Sequence, residues 1–109
     1  MSYPALNDVF AALADPTRRR MVERLARGRR SVGEVAAGFD MSQPALSKHV
    51  KVLERAGLVK RIVTGRTHYL DLVPVAMHSA STWLDRQQKF WEETLDRLDD
   101  VLTEQGEHS

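Results

Sequence analysis

The chain has 109 residues, 42% of them hydrophobic and 28% charged, which fits one folded domain with or without an extension and excludes a disordered composition. It has no cysteine, so disulfides, thiolate metal sites and thiol nucleophiles are excluded, and no apolar run approaches the roughly 20 residues of a membrane span. The net charge of +1 conceals a division: residues 1–70 carry 13 Lys/Arg against 6 Asp/Glu, and residues 71–109 carry 3 against 9. A basic body followed by an acidic segment suggests a polyanion-binding region joined to a part held away from the polyanion. The N-terminus lacks the basic-then-apolar layout of a signal peptide, and a soluble, cytoplasmic protein is expected.

Leu6, Val9, Phe10 and Leu13 recur at helical spacing and predict a first helix over residues 5–14. Asp15-Pro16 reads as an N-cap followed by a proline whose missing N–H is not needed in the first helical turn. The second helix then runs through Met21, Val22 and Leu25 until Gly28. Ser31-Val32-Gly33-Glu34 fits a capping box, so a short third helix follows, with Val32, Val35 and Ala36 inward and Gly38 as its breaker. Ser42 caps a fourth helix in which Leu46, Val50 and Leu53 form the buried stripe, and Gly57 suits the position just past its end. Residues 58–63 and 67–72 are rich in β-formers around the turn Thr64-Gly65-Arg66, which predicts a hairpin. Pro74 opens a last helix to about Glu104, roughly 46 Å long at 1.5 Å per residue.

The order helix, helix, helix, helix, hairpin, long helix is that of a mainly α winged helix-turn-helix. The expected division is a DNA-binding domain over 1–73, a C-terminal dimerisation helix over 74–104 and a flexible tail over 105–109. With Leu46, Val50 and Leu53 turned inward, Gln43, Ser47, Lys48, Lys51 and Arg55 fall on the opposite side of the fourth helix. Short polar groups near the start and cations further along match a recognition helix, whose first turns reach base edges while cations grip phosphate. Gln43 suits adenine, Ser47 either base type, Lys48 guanine, and Ala45 a thymine methyl; Pro44 lies in the same first turn. His49 sits between the two faces, placed either to touch phosphate or to serve the structure. On the hairpin, Arg61 and Arg66 are placed to reach phosphates or a narrow minor groove. Arg18, Arg19 and Arg20 spread around the second helix, so one or two, Arg18 among them, are expected at phosphate and the others at carboxylates such as Glu23 or Asp15.

The stretch Leu13-Ala14-Asp15-Pro16-Thr17-Arg18-Arg19 is followed by Val35-Ala36, by Ser42-Gln43-Pro44-Ala45-Leu46-Ser47-Lys48-His49-Val50-Lys51-Val52-Leu53 and by Ala56-Gly57-Leu58-Val59. Together with Gly65-Arg66, Tyr69 and Leu72, these residues resemble the ArsR/SmtB family of bacterial transcriptional repressors, over residues 6–73. The resemblance implies a homodimer on a palindromic double-stranded DNA operator. It also implies metal or metalloid sensing, and here the sequence departs from the family. The stretch Arg30-Ser31-Val32-Gly33-Glu34-Val35 has no cysteine where the family's metalloid ligands begin. The last helix has His78 with Asp85 seven residues on, short of the four N/O ligands that zinc prefers, and His108 falls in the expected tail. No metal and no cofactor are expected; an effector of another kind remains open.

Leu84, Trp91 and Leu98 recur every seven residues, and Gln88, Leu95 and Leu102 recur on the adjacent line. Trp83 and Phe90 widen this apolar face. A small domain has little room to bury it, so a second copy is expected there, with Leu6 and Phe10 of the first helix as further dimer candidates. Two other functions fit the same residues: a metal-responsive repressor with an atypical His/Asp site, and a winged-helix module that binds protein instead of DNA. The basic outward face of the fourth helix argues against the second. No catalytic grouping or phosphate loop is present, so an enzyme is not expected.

Overall fold

The computed structural model describes residues 6–107, with side chains as far as Glu104. The elements follow in order as helix α1 (Leu6–Leu13), helix α2 (Pro16–Leu25), strand β1 (Arg30–Ser31), helix α3 (Val32–Ala36), helix α4 (Gln43–Arg55), strands β2 (Val59–Thr64) and β3 (Thr67–Leu72), and helix α5 (Pro74–Glu107). Residue 5, expected to begin the first helix, lies outside the described residues, as does His108.

The local signals act as their chemistry dictates. The Asp15 carboxylate accepts the Arg18 amide at 2.9 Å and caps α2. Ser31 Oγ accepts the Glu34 amide at 3.1 Å, and Glu34 Oε1 accepts the Ser31 amide at 3.0 Å, so both halves of the capping box form. Ser42 Oγ accepts the Ala45 amide at 3.3 Å at the start of α4. At the other end, Leu58 N–H donates to Leu53 O and Gly57 N–H to Glu54 O, both at 3.0 Å. That pair of bonds is a Schellman motif, and it needs the left-handed φ of +73° that Gly57 supplies.

Antiparallel pairing joins the strands in the order β1-β3-β2. The hairpin is tighter than the sequence suggests: Thr64 pairs with Thr67, so the turn is only Gly65-Arg66. Gly65 has φ +62° and Arg66 a negative φ, the pattern of a type II′ turn, which suits the strand twist. The third strand, β1, has no counterpart among the predicted elements. It pairs Arg30 with Leu70 and Ser31 with Tyr69, and its outer end is fastened by Arg29, which donates to both oxygens of Asp71 at 3.0 and 2.9 Å.

Val9, Met21, Leu25, Val35, Leu46, Val50, Leu53, Leu58 and Leu70 meet in one core. Val32 and Ala36 of α3 pack against it while remaining partly exposed. The start of α5 joins through Ala76 and Ala80, both buried, one helical turn apart and small enough for a close approach. Phe10 of α1 meets Trp83 edge to face, with ring centroids 5.5 Å apart. Beyond that contact α5 leaves the domain. It continues to Glu107, three residues past the expected boundary at 104, so residues 105–107 are helix and not tail; it spans about 51 Å at 1.5 Å per residue. The molecule is accordingly 73 Å long and 22 Å across its thinnest dimension. No helix among the described residues is long and apolar enough to cross a membrane.

Candidate nucleic-acid interface

Helix α4 presents two unlike sides. Leu46, Val50 and Leu53 are buried, whereas Gln43, Pro44, Ser47, Lys48 and Lys51 are exposed. The flank formed by Ala45, His49 and Val52 is half-buried. The expected base-reading residues therefore share one open face, and Ala45 lies at its margin. Arg66 is exposed at the hairpin tip.

The remaining arginines are distributed differently from expectation. Arg18 does not stand free for phosphate. Its Nε donates to Ala12 O at 2.7 Å and its Nη2 to Ala11 O at 3.2 Å, while Nη1 lies 3.1 Å from His49 Nδ1. Arg19 donates to Leu13 O at 2.7 Å. Carbonyls at a helix end run short of helical donors and carry the negative end of the helix dipole, so two cations from the next helix cap α1; Ala11 O also accepts the Ala14 amide at 3.2 Å. The sequence places these guanidinium groups at phosphate or carboxylate; they go to backbone carbonyls instead. Arg24 does the same for α3, donating to Val35 O at 2.8 Å and Ala37 O at 2.6 Å with its guanidinium 4.4 Å from the centre of the Phe39 ring. It thereby braces the turn between α3 and α4.

Arg61 is likewise engaged. It donates to Glu54 of α4 at 2.9 Å and lies 3.1 Å from His68 Nδ1, which ties the hairpin to α4 and neutralises part of its charge. Among the cations left exposed are Lys48, Lys51 and Arg55 on α4 and Arg66 at the tip. Sequence spacing cannot separate these from Arg18 and Arg61, because the difference lies in partners distant along the chain.

Three carboxylates are held below their ordinary range. The Arg18 amide does this for Asp15, the Ser31 amide for Glu34 and the Arg29 guanidinium for Asp71. Each is a structural fastening. Among the described residues of one chain, no group of three or more His, Asp or Glu side chains is placed to hold a metal ion.

Phe90, Trp91, Leu95, Leu98, Val101 and Leu102 lie along the projecting part of α5, each about half exposed; Trp91 reaches 57%. A groove of about 470 Å³ between α1 and α5, lined by Leu6, Asn7, Phe10, Trp83 and Leu84, continues this apolar strip onto the domain. Leu6, Phe10, Trp83 and Leu84 of the expected dimer residues line this groove, and Phe90, Trp91, Leu95, Leu98 and Leu102 lie on the projecting part of α5.

Known proteins share this arrangement. Residues 13–62, from the end of α1 into β2, match a family of helix-turn-helix domains. The chain is 38% identical to the HTH-type transcriptional regulator Rv2034 of Mycobacterium tuberculosis, over 97% of this chain and 96% of that protein. It is 30% identical to the transcriptional repressor SdpR of Bacillus subtilis, over 72% of this chain and 88% of that one. Among solved structures it resembles the crystal structure of an ArsR family transcriptional regulator, with a TM-score of 0.75 and 40% identity, covering 80% of this chain and 96% of the other. It also resembles the solution structure of a homodimeric winged helix-turn-helix DNA-binding domain from Mycobacterium bovis, a possible ArsR-family regulator. There the TM-score is 0.58 and the identity 25%, over 84% of this chain and 82% of that domain.

Proposed function

The chain belongs to the ArsR/SmtB family of winged helix-turn-helix DNA-binding transcriptional regulators, and on that premise we propose that it is a homodimeric repressor of a palindromic operator that works without a metal effector. The observation that carries this reading is the open polar face of α4, with Gln43 and Ser47 in its first turns and Lys48 and Lys51 beside them. Gln43, Ser47 and Lys48 serve base edges, with Pro44 and Ala45 at the same end of the helix; Lys51 and Arg66 serve phosphates. The half-exposed strip on α5 supplies the two-fold contact, which sets two recognition helices about 34 Å apart, one helical turn of DNA. Metal independence is supported by the absence of cysteine and by His78 being the one histidine of α5 among the described residues.

The test is a gel shift with DNA upstream of the gene, at two salt concentrations, with and without zinc. A specific, salt-sensitive shift that zinc leaves unchanged is expected. A shift abolished by zinc overturns metal independence, and absence of specific binding to any DNA in a genome-wide selection overturns operator recognition.

A further inference from the structure

The recognition helix is fastened on both flanks by an arginine. Arg61 holds it from the hairpin through Glu54, and Arg18 holds it from α1 and α2 through His49. A guanidinium can only donate hydrogen bonds, so in the second fastening His49 Nδ1 serves as the acceptor. Asp15, whose carboxylate lies 3.9 Å from the same ring nitrogen, also accepts the Arg18 amide. One arginine therefore joins the last turn of α1, the cap of α2 and the middle of α4. Its donors are turned inward, and its charge is answered by two carbonyls and a nearby carboxylate.

We infer that Arg18 and His49 are positioning residues for operator reading: together they set the rotation of α4 about its own axis, and neither contributes a phosphate contact. This rests on the operator function proposed above. The physical reason is leverage. Side-chain tips stand about 6 Å from a helix axis, so a rotation of about 20° moves Gln43 and Ser47 by roughly 2 Å. Hydrogen bonds to base edges tolerate only a few tenths of an ångström. The apolar stripe Leu46, Val50 and Leu53 fixes which side of α4 faces the core, and a hydrogen bond on the flank adds a restraint on angle that aliphatic contacts lack. The His49 bond is directional.

The experiment compares His49→Phe, Arg18→Gln and the double variant with the parent chain, on operator and on unrelated DNA over a range of salt. His49→Phe is the gentler probe, since it removes the acceptor but leaves the Arg18 bonds to Ala11 and Ala12 in place. Folding and dimerisation are checked by circular dichroism and sedimentation at the same temperature. Each single variant should weaken operator binding about 10-fold, the loss of roughly one good base contact. Binding to unrelated DNA and the slope of affinity against salt should not change, because no phosphate charge is removed. The double variant should be no weaker than the worse single one, since both remove the same fastening. A salt slope reduced by about 0.9 for Arg18→Gln would mean a phosphate contact and overturn the inference. Full operator affinity in His49→Phe, or losses that multiply in the double variant, would overturn it as well. Absence of specific binding by the parent chain would overturn the operator function and this inference together, whereas the other outcomes leave that function standing.

Discussion

Residues 6–83 and residues 84–107 both carry large apolar side chains and treat them in opposite ways. In the first region Leu53, Leu58 and Leu70 are fully enclosed, and hydrogen bonds from Arg18, Arg19 and Arg24 reach the loose helix ends. In the second, Trp91, Leu95 and Leu98 lie on a bare helix, and every buried residue described in the chain is at or before Ala80. The difference is in what stands opposite. The domain gathers these leucines into one core with apolar residues of its helices and sheet, while among the described residues no element is packed against the far part of α5. An apolar residue is thus core or interface according to its surroundings, and helical periodicity alone does not tell the two apart.

The contrast can be broken most forcefully on the helix. Trp91→Glu with Leu98→Glu should weaken the proposed dimer by about 4 kcal/mol, taking each as a central interface residue worth roughly 2 kcal/mol. Sedimentation should show monomers with unchanged helical content and no operator binding; persistent dimers would move the interface elsewhere. A somewhat smaller effect is expected within the domain. Leu53→Ala should lower the unfolding free energy by about 3 kcal/mol through lost burial and a residual cavity, read from the urea midpoint. A loss below about 1 kcal/mol would mean that the α4 stripe is not tightly packed.

The smallest effect sharpens the comparison by pH. Asp15, Glu34 and Asp71 all belong to the domain or its sheet, and all titrate below their ordinary values in the folded state. A lowered folded pKa stabilises the fold above the ordinary carboxylate range. That contribution is lost as pH falls through the lowered values, so the melting temperature should drop between about pH 5 and pH 2. Asp15→Asn keeps an N-cap acceptor but cannot titrate, and should make this decline shallower. An unaltered acid profile would show that the Asp15 carboxylate contributes little.

Signals carried within a few residues are legible in the sequence. Asp15-Pro16, the Ser31–Glu34 box, Ser42 and Gly57 each act through neighbours no more than five residues away, and each does what its chemistry indicates. The buried stripe of α4 and the apolar line of α5 are legible from periodicity. Partnerships across the chain are not. Arg30 meets Leu70, Arg18 meets His49 and Arg61 meets Glu54 only because the fold brings them together. Arginines that look alike in the sequence accordingly divide into those that tie helices together and those, like Arg66, that stay open to solvent. The pairing of β1 is two residues long, too short to leave a pattern of its own.

Ser31 pairs with Tyr69 in the sheet and, through its hydroxyl, holds the first turn of α3. A single residue therefore belongs both to the wing and to the first helix of the helix-turn-helix. The strand pair and the cap draw on the same residue, so loss of either loosens a neighbour of the other, and amide exchange should show the two protected to a similar degree. The wing is in that sense no separate appendage: it is tied by one side chain to the helix that precedes α4.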